Sequence, residues 1–95
     1  MDLHALAKDC KKFLTSFNRV GIKKISATVH RGTIRIGLLM DPHGYSPVGR
    51  AALFTQYWSD IQLRWWEQHG KPPMEIIHLE RDATGEIVVM RVKEI

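Results

Sequence analysis

The strongest constraint on this chain is a long helix with both ends marked in the sequence, running from Pro47 to His69. Ser46 can accept a hydrogen bond from a free backbone N–H of the first turn, and Pro47 lacks a donor where none is needed. Gly70 suits the left-handed residue that ends a helix, and Pro72-Pro73 forbids continuation. Between these signals Ala51, Phe54, Trp58, Ile61 and Trp65 fall on one stripe, with Tyr57 at its edge. All three tryptophans lie in this segment. Trp66 projects about 100° away from the stripe. It either lies under a loop or the first helix, or stands as an aromatic anchor for a partner, a role in which tryptophan is enriched.

The rest of the chain must supply an apolar surface for that stripe. Asp2 caps a first helix in which Leu3, Leu6, Cys10, Phe13 and Phe17 recur at spacings of three and four, and Asn18 to Gly21 stop it. Two alternating runs then flank Arg31-Gly32. A two-residue turn pairs Val29 with Ile34, Ala27 with Ile36 and Ile25 with Leu38, so every apolar residue lands on one face. Arginine is a poor first residue for a type I′ turn, which leaves the turn type open while the hairpin stands.

Beyond the prolines, Met74–Arg81 and Glu86–Lys93 form a second hairpin around Asp82-Ala83-Thr84-Gly85. Pairing Arg81 with Glu86, Leu79 with Val88 and Ile77 with Met90 turns Ile77, Leu79, Val88, Met90 and Val92 inward. Ile76, His78, Glu80, Ile87, Val89 and Arg91 then point outward. The expected fold is α+β: one domain over residues 1–95, in two layers with the order αββαββ. Its four-stranded, mainly antiparallel sheet has both helices packed on one face.

An open sheet face follows from that architecture. Half of its expected residues are polar, as suits a solvated antiparallel sheet. On the second hairpin Ile76, Ile87 and Val89 form a small apolar patch of the kind that marks an interface. Coverage by the C-terminal residues is the competing explanation for that patch. Self-complementary sheet or edge contact would give a homodimer.

Composition narrows the function classes. The 44% hydrophobic and 25% charged content is that of a folded protein rather than a disordered one. No apolar run approaches a membrane span and no signal peptide is visible. Cys10 is the one cysteine, so no internal disulfide forms and a cytoplasmic location is the default. The histidines are dispersed without metal-ligand spacing. The formal net charge of +4 is mild, and the cations are scattered rather than run together. No aromatic falls on a predicted strand, which argues against a base-stacking platform. Asp41, His43, Ser46 and Arg50 gather at the start of the long helix, where free N–H groups point outward. Turn chemistry and capping account for them, with no glycine-rich phosphate cradle and no second acid or nucleophile at a recognisable spacing, and no catalytic, cofactor or metal residue is assigned.

The expected function is a small non-enzymatic protein-interaction module, an adaptor, regulator or inhibitor of a larger complex, acting as a homodimer. Its expected contact residues are Trp66, Ile76, Ile87, Val89, Arg35 and Arg91. The alternatives are a nucleic-acid-binding accessory protein using Lys24, Arg35, Arg91 and Lys93 on the outer sheet face, and a small enzyme with its site in the loop 41–46.

Overall fold

The computed structural model describes residues 1–17 and 20–95, so the helix stop expected at Asn18 begins outside the described residues. The element order is α1 (Leu3–Thr15), β1 (Ile22–His30), β2 (Thr33–Met40), α2 (Pro47–Ile61), β3 (Met74–Arg81) and β4 (Ile87–Glu94). Asp2 caps α1, accepting from the N–H groups of His4 and Ala5. Ser46 caps α2 by accepting from the N–H of Gly49, with Pro47 in the first turn. Gly70 ends the long helical segment at φ 83°. The expected signals at these ends are therefore in use.

The segment is not uniform, however. After Ile61 it widens into a single π turn over Gln62–Trp66 and closes in a 3-10 turn over Glu67–His69. Trp65 is buried, and its indole N–H donates to the Asp9 carboxylate of α1 at 2.8 Å. Trp66 is half-buried, and its N–H donates to the Pro72 carbonyl at 2.8 Å.

The first hairpin keeps the expected register, Val29↔Ile34, Ala27↔Ile36 and Ile25↔Leu38. Its turn is the two-residue form with positive φ at both positions, 51° at Arg31 and 73° at Gly32. The glycine makes the second position easy. Arg31 accepts a strained left-handed backbone because the paired strands fix it.

The sheet is mixed, with the order β1-β2-β3-β4. The outer pairings are antiparallel, but β2 and β3 run parallel. A parallel neighbour requires a crossover, and α2 is that crossover. The ladder opens where the Ile34 N–H donates to the Pro73 carbonyl at 2.9 Å. Ile34 then faces Met74, Ile36 faces Ile76, and Leu38 faces His78.

This register corrects the expected facing of β3. Ile76, His78 and Glu80 are buried, on the same side as Ile34, Ile36 and Leu38, and Ile77 and Leu79 take the other face. Ile76, expected in the outer patch, is fully buried in the core. Its core includes Cys10 and Leu14 of α1, Phe54, Tyr57 and Ile61 of α2, and Trp65 of the π turn.

The second hairpin differs by one residue and then by a bulge. Asp82 accepts from the N–H groups of Thr84 and Glu86, and the Asp82 N–H donates to the Glu86 carbonyl. The turn thus holds Glu86, and Arg81 pairs with Ile87 and Leu79 with Val89. Between Val89 and Arg91 the register shifts, so that His78 pairs with Arg91 and Ile77 with Val92. Arg91 and Lys93 therefore share the core face of the sheet, contrary to their expected outward position. Ile87, Val89 and Val92 occupy the open face. Of the inward set expected on β4, only Val88 keeps its parity.

These facings separate two isoleucines of nearly the same chemistry. Ile76→Ala is expected to cost about 3 kcal/mol, as a large-to-small change in a packed core, and Ile87→Ala less than about 0.5 kcal/mol, as an exposed change. Urea unfolding midpoints of the two variants check the assignment.

Candidate functional site

Two features stand out once the strands are placed: a buried polar chain on the core face, and an exposed aliphatic strand at the sheet edge beside it. The polar chain starts at Arg50, one turn into α2. Its Nε donates to Glu80 Oε2 at 2.7 Å and its Nη2 to Glu80 Oε1 at 3.3 Å. Its Nη1 donates to the Tyr45 carbonyl at 2.6 Å, which fastens the loop preceding α2 to β3. Both side chains of this pair are nearly buried, at 12% and 10% exposure.

His78 continues the chain. Its Nε2 lies 2.6 Å from Glu80 Oε2 and its Nδ1 lies 2.8 Å from Arg91 Nη1. A guanidinium only donates, so Nδ1 must accept. The proton is then on Nε2, which donates to Glu80, and the imidazole is neutral. The Phe54 ring flanks it with centroids 5.7 Å apart.

Burial pushes the His78 pKa down from the ordinary 6.5, and the Arg91 and Arg50 charges act the same way; the Glu80 hydrogen bond and charge oppose them without reversing the shift. For Glu80, burial acts upward, but the hydrogen bonds and charge of Arg50 and the bond from His78 outweigh it and hold the pKa below the ordinary 4.5. Each group in this chain therefore satisfies its neighbour, and the arrangement is a structural lock between α2, β3 and β4.

The edge is different in character. Every residue of β4 is exposed. Ile87, Val89 and Val92 are 51%, 60% and 52% exposed, and all three lie on the open face. Ile77 and Leu79 lie beside them on β3 and are half-buried. Leu39 extends the strip onto β2. The far end of β4 is tied down on the core side, where the Trp58 N–H donates to the Glu94 carbonyl at 3.1 Å and Lys93 Nζ sits 3.9 Å from the Trp58 ring centroid.

The expected contact residues thus separate. Ile87 and Val89 share the exposed strip. Arg35 is on the same face but farther in, paired with Glu75 at 2.6 Å. Arg91 is exposed but bonds the buried His78 from the core face, Ile76 belongs to the core, and Trp66 lies beyond the opposite end of the crossover helix. The four cations expected on one face are split, since Lys24 and Arg35 lie on the open face while Arg91 and Lys93 lie on the core face.

In the loop 41–46, the Asp41 carboxylate accepts from the His43 N–H at 2.9 Å and the Ser46 hydroxyl from the Gly49 N–H at 3.1 Å. These atoms hold the turn and the helix start. The His43 residue borders a cleft with Lys23, Met40, Arg81 and Asp82. Cys10 is fully buried, and burial, reinforced by the Asp9 charge, pushes its thiol up to about 12. Among the described residues no group of three His, Cys, Asp or Glu side chains is arranged to hold a metal ion, and no helix is long and apolar enough to cross a membrane.

Sequence reasoning missed the His78–Glu80 pair because alternation with Ile77 and Leu79 assigned the polar residues to solvent. No signal in the sequence marks Arg50 and Arg91 as their partners, since the Arg50 contact depends on the crossover and the Arg91 contact on the bulge in β4. No family model and no curated protein matches the chain.

Two consequences of the polar chain are measurable. Between the lowered folded value and about 6.5, the unfolded chain binds a proton at His78 that the folded chain refuses. Stability therefore rises with pH in that window and falls on acidification from about pH 6.5. Glu80 adds a second loss as pH falls below 4.5 through its folded value. His78→Gln, which keeps a donor and an acceptor but does not titrate, is expected to flatten the upper window and leave the lower one in urea titrations across pH.

Arg50→Leu is expected to cost about 3 kcal/mol by leaving the Glu80 carboxylate buried without its cation, and adding Glu80→Leu to recover part of that loss. Unfolding free energies of the single and double variants check this. A double variant no more stable than Arg50→Leu would show that the pair is not a desolvated ion pair.

Proposed function

We propose that the protein is a non-enzymatic protein-interaction module that docks through β4 and the adjoining open face. The layering behind this reading has both helices on the core face, with the reverse side of the sheet left for a partner. The observation that carries it is the exposure of Ile87, Val89 and Val92 side by side on an edge strand. Single exposed aliphatics are ordinary, but a contiguous strip rimmed by charge is characteristic of contact surfaces. Here Arg35 and Arg81 lie at the rim of that strip.

An edge strand also offers unpaired backbone groups, so a partner strand gains main-chain hydrogen bonds together with apolar burial. A regulator, adaptor or inhibitor of a larger complex fits a scaffold whose polar groups are occupied in holding the hairpin rather than gathered in a cavity. A cytoplasmic setting accords with the single buried thiol.

Val89→Glu combined with Val92→Glu tests the reading. Both side chains are exposed, so the variant is expected to keep the wild-type circular dichroism spectrum and to lose less than about 1 kcal/mol of stability. Quantitative affinity capture from the native host is expected to lose the proteins that the wild-type chain retains. An unchanged set of captured proteins would remove β4 as the docking element.

A further inference from the structure

We propose that the occupant of the β4 edge is a second copy of this chain, joined antiparallel about a two-fold axis between Met90 and Arg91. This rests on the docking role of β4 proposed above and names its partner.

Backbone hydrogen bonds at the two ends of β4 set which of its groups face the free edge. The Ile95 N–H donates to the Met74 carbonyl, and the Asp82 N–H donates to the Glu86 carbonyl. In an antiparallel ladder the bonded residues alternate, so these two bonds fix which residues of β4 turn their N–H and C=O toward β3. Lys93 and Arg91 do so on one side of the bulge, and Val88 and Glu86 on the other. The residues turned to the free edge are therefore Ile87, Val89, Val92 and Glu94.

That set is symmetric about the midpoint of the strand. The spacing between Val89 and Val92 is wider than the other two because the bulge inserts one residue there. Reversing the strand end for end superimposes the set on itself. Two copies run antiparallel can then pair Val89 with Val92 of the second copy, twice by symmetry, and Ile87 with Glu94 at the ends. Without the bulge the alternation would run on unbroken and several registers would serve equally. With it, one register aligns all the outward groups.

The side chains agree with this register. The same four residues lie on the open face, so pairing them joins the two aliphatic strips into one across the axis. On the core face Glu86 comes diagonal to Lys93 of the second copy, an opposite-charge neighbour. Arg91 lies close to the axis, but each guanidinium is drawn back to its own His78 at 2.8 Å. Trp58 already holds the Glu94 carbonyl, so the Val89–Val92 pairs at the centre carry the contact.

The contact is an edge-to-edge ladder, carried by the facing backbone groups and the cross-strand Val89–Val92 pairs. The other sheet edge is a poorer candidate. β1 carries exposed Lys23, Lys24 and His30 along its length, and α1 packs against it.

Two measurements on the full chain test the pairing. Sedimentation of the wild-type protein is expected to give twice the 11.0 kDa of the chain, falling to the single mass for Val89→Glu with Val92→Glu. The double variant Val89→Cys with Val92→Cys is expected to form a covalent dimer on mild oxidation, because the paired Cα atoms lie within disulfide range. Val88→Cys with Val92→Cys, with one position on each face, is expected not to do so. A monomeric wild-type chain at the highest attainable concentration would overturn the proposal, and so would equal crosslinking of the two cysteine variants. If the chain is monomeric but Val89→Glu with Val92→Glu still abolishes partner capture, docking through β4 stands with a different occupant. If capture is also unchanged, both readings fall.

Discussion

The parallel pairing of β2 with β3 is the constraint from which the rest of this structure follows. It sets Ile34 against Met74, Ile36 against Ile76 and Leu38 against His78. Three consequences come from that one register. The apolar side of β2 continues across β3 and is closed by the stripe of α2. The polar residues His78 and Glu80 are carried into the interior. Ile77 and Leu79 are turned to the other face, where they meet the exposed aliphatics of β4. An antiparallel neighbour would have needed no crossover, and α2 would have had no fixed place above the sheet.

Taking Glu80 inside is costly unless its charge is met, and Arg50 meets it in a two-pronged contact while also holding the Tyr45 carbonyl. The helix start, the loop before it and the end of β3 are thereby fixed by one guanidinium. His78 passes the connection on to Arg91 as a neutral relay of hydrogen bonds, so β4 is attached through a side chain as well as through its ladder. A group that excludes a proton from its folded form in this way makes cohesion of the hairpin sensitive to mild acid, before the carboxylates themselves titrate.

Much of this architecture was legible in the sequence, for physical reasons that also mark the limit. The caps at Asp2 and Ser46, the stop at Gly70, and the register of the first hairpin follow from local chemistry and from strict alternation of Ile25, Ala27 and Val29 with Ile34, Ile36 and Leu38. The facing of β3 was not legible, because Ile76-Ile77 is apolar at both parities and the polar pair His78 and Glu80 tipped the choice toward solvent. Arg50 is distant in sequence and met only through the crossover, and Arg91 reaches His78 only because of the bulge in β4. The hairpin register slipped because the Asp82 carboxylate gathers Thr84 and Glu86 into a longer turn. Of the candidate contact residues, Ile87 and Val89 were placed on the right face because the inverted facing of β3 and the one-residue slip of the hairpin cancel before the bulge. The unforeseen bulge then misplaced Arg91.

The bulge at Met90 joins the hidden and the exposed halves of the hairpin. Without the extra residue, a residue two positions after Val89 would share its face, and Arg91 would stand on the open side with its charge among the valines. Insertion of one residue turns Arg91 inward to His78 and brings Val92 out beside Val89. The edge thus loses a charge that would guard it against pairing, and the interior gains the donor that fixes the histidine tautomer. The donor to His78 on one face and the adjacent exposed valines on the other are products of the same irregularity.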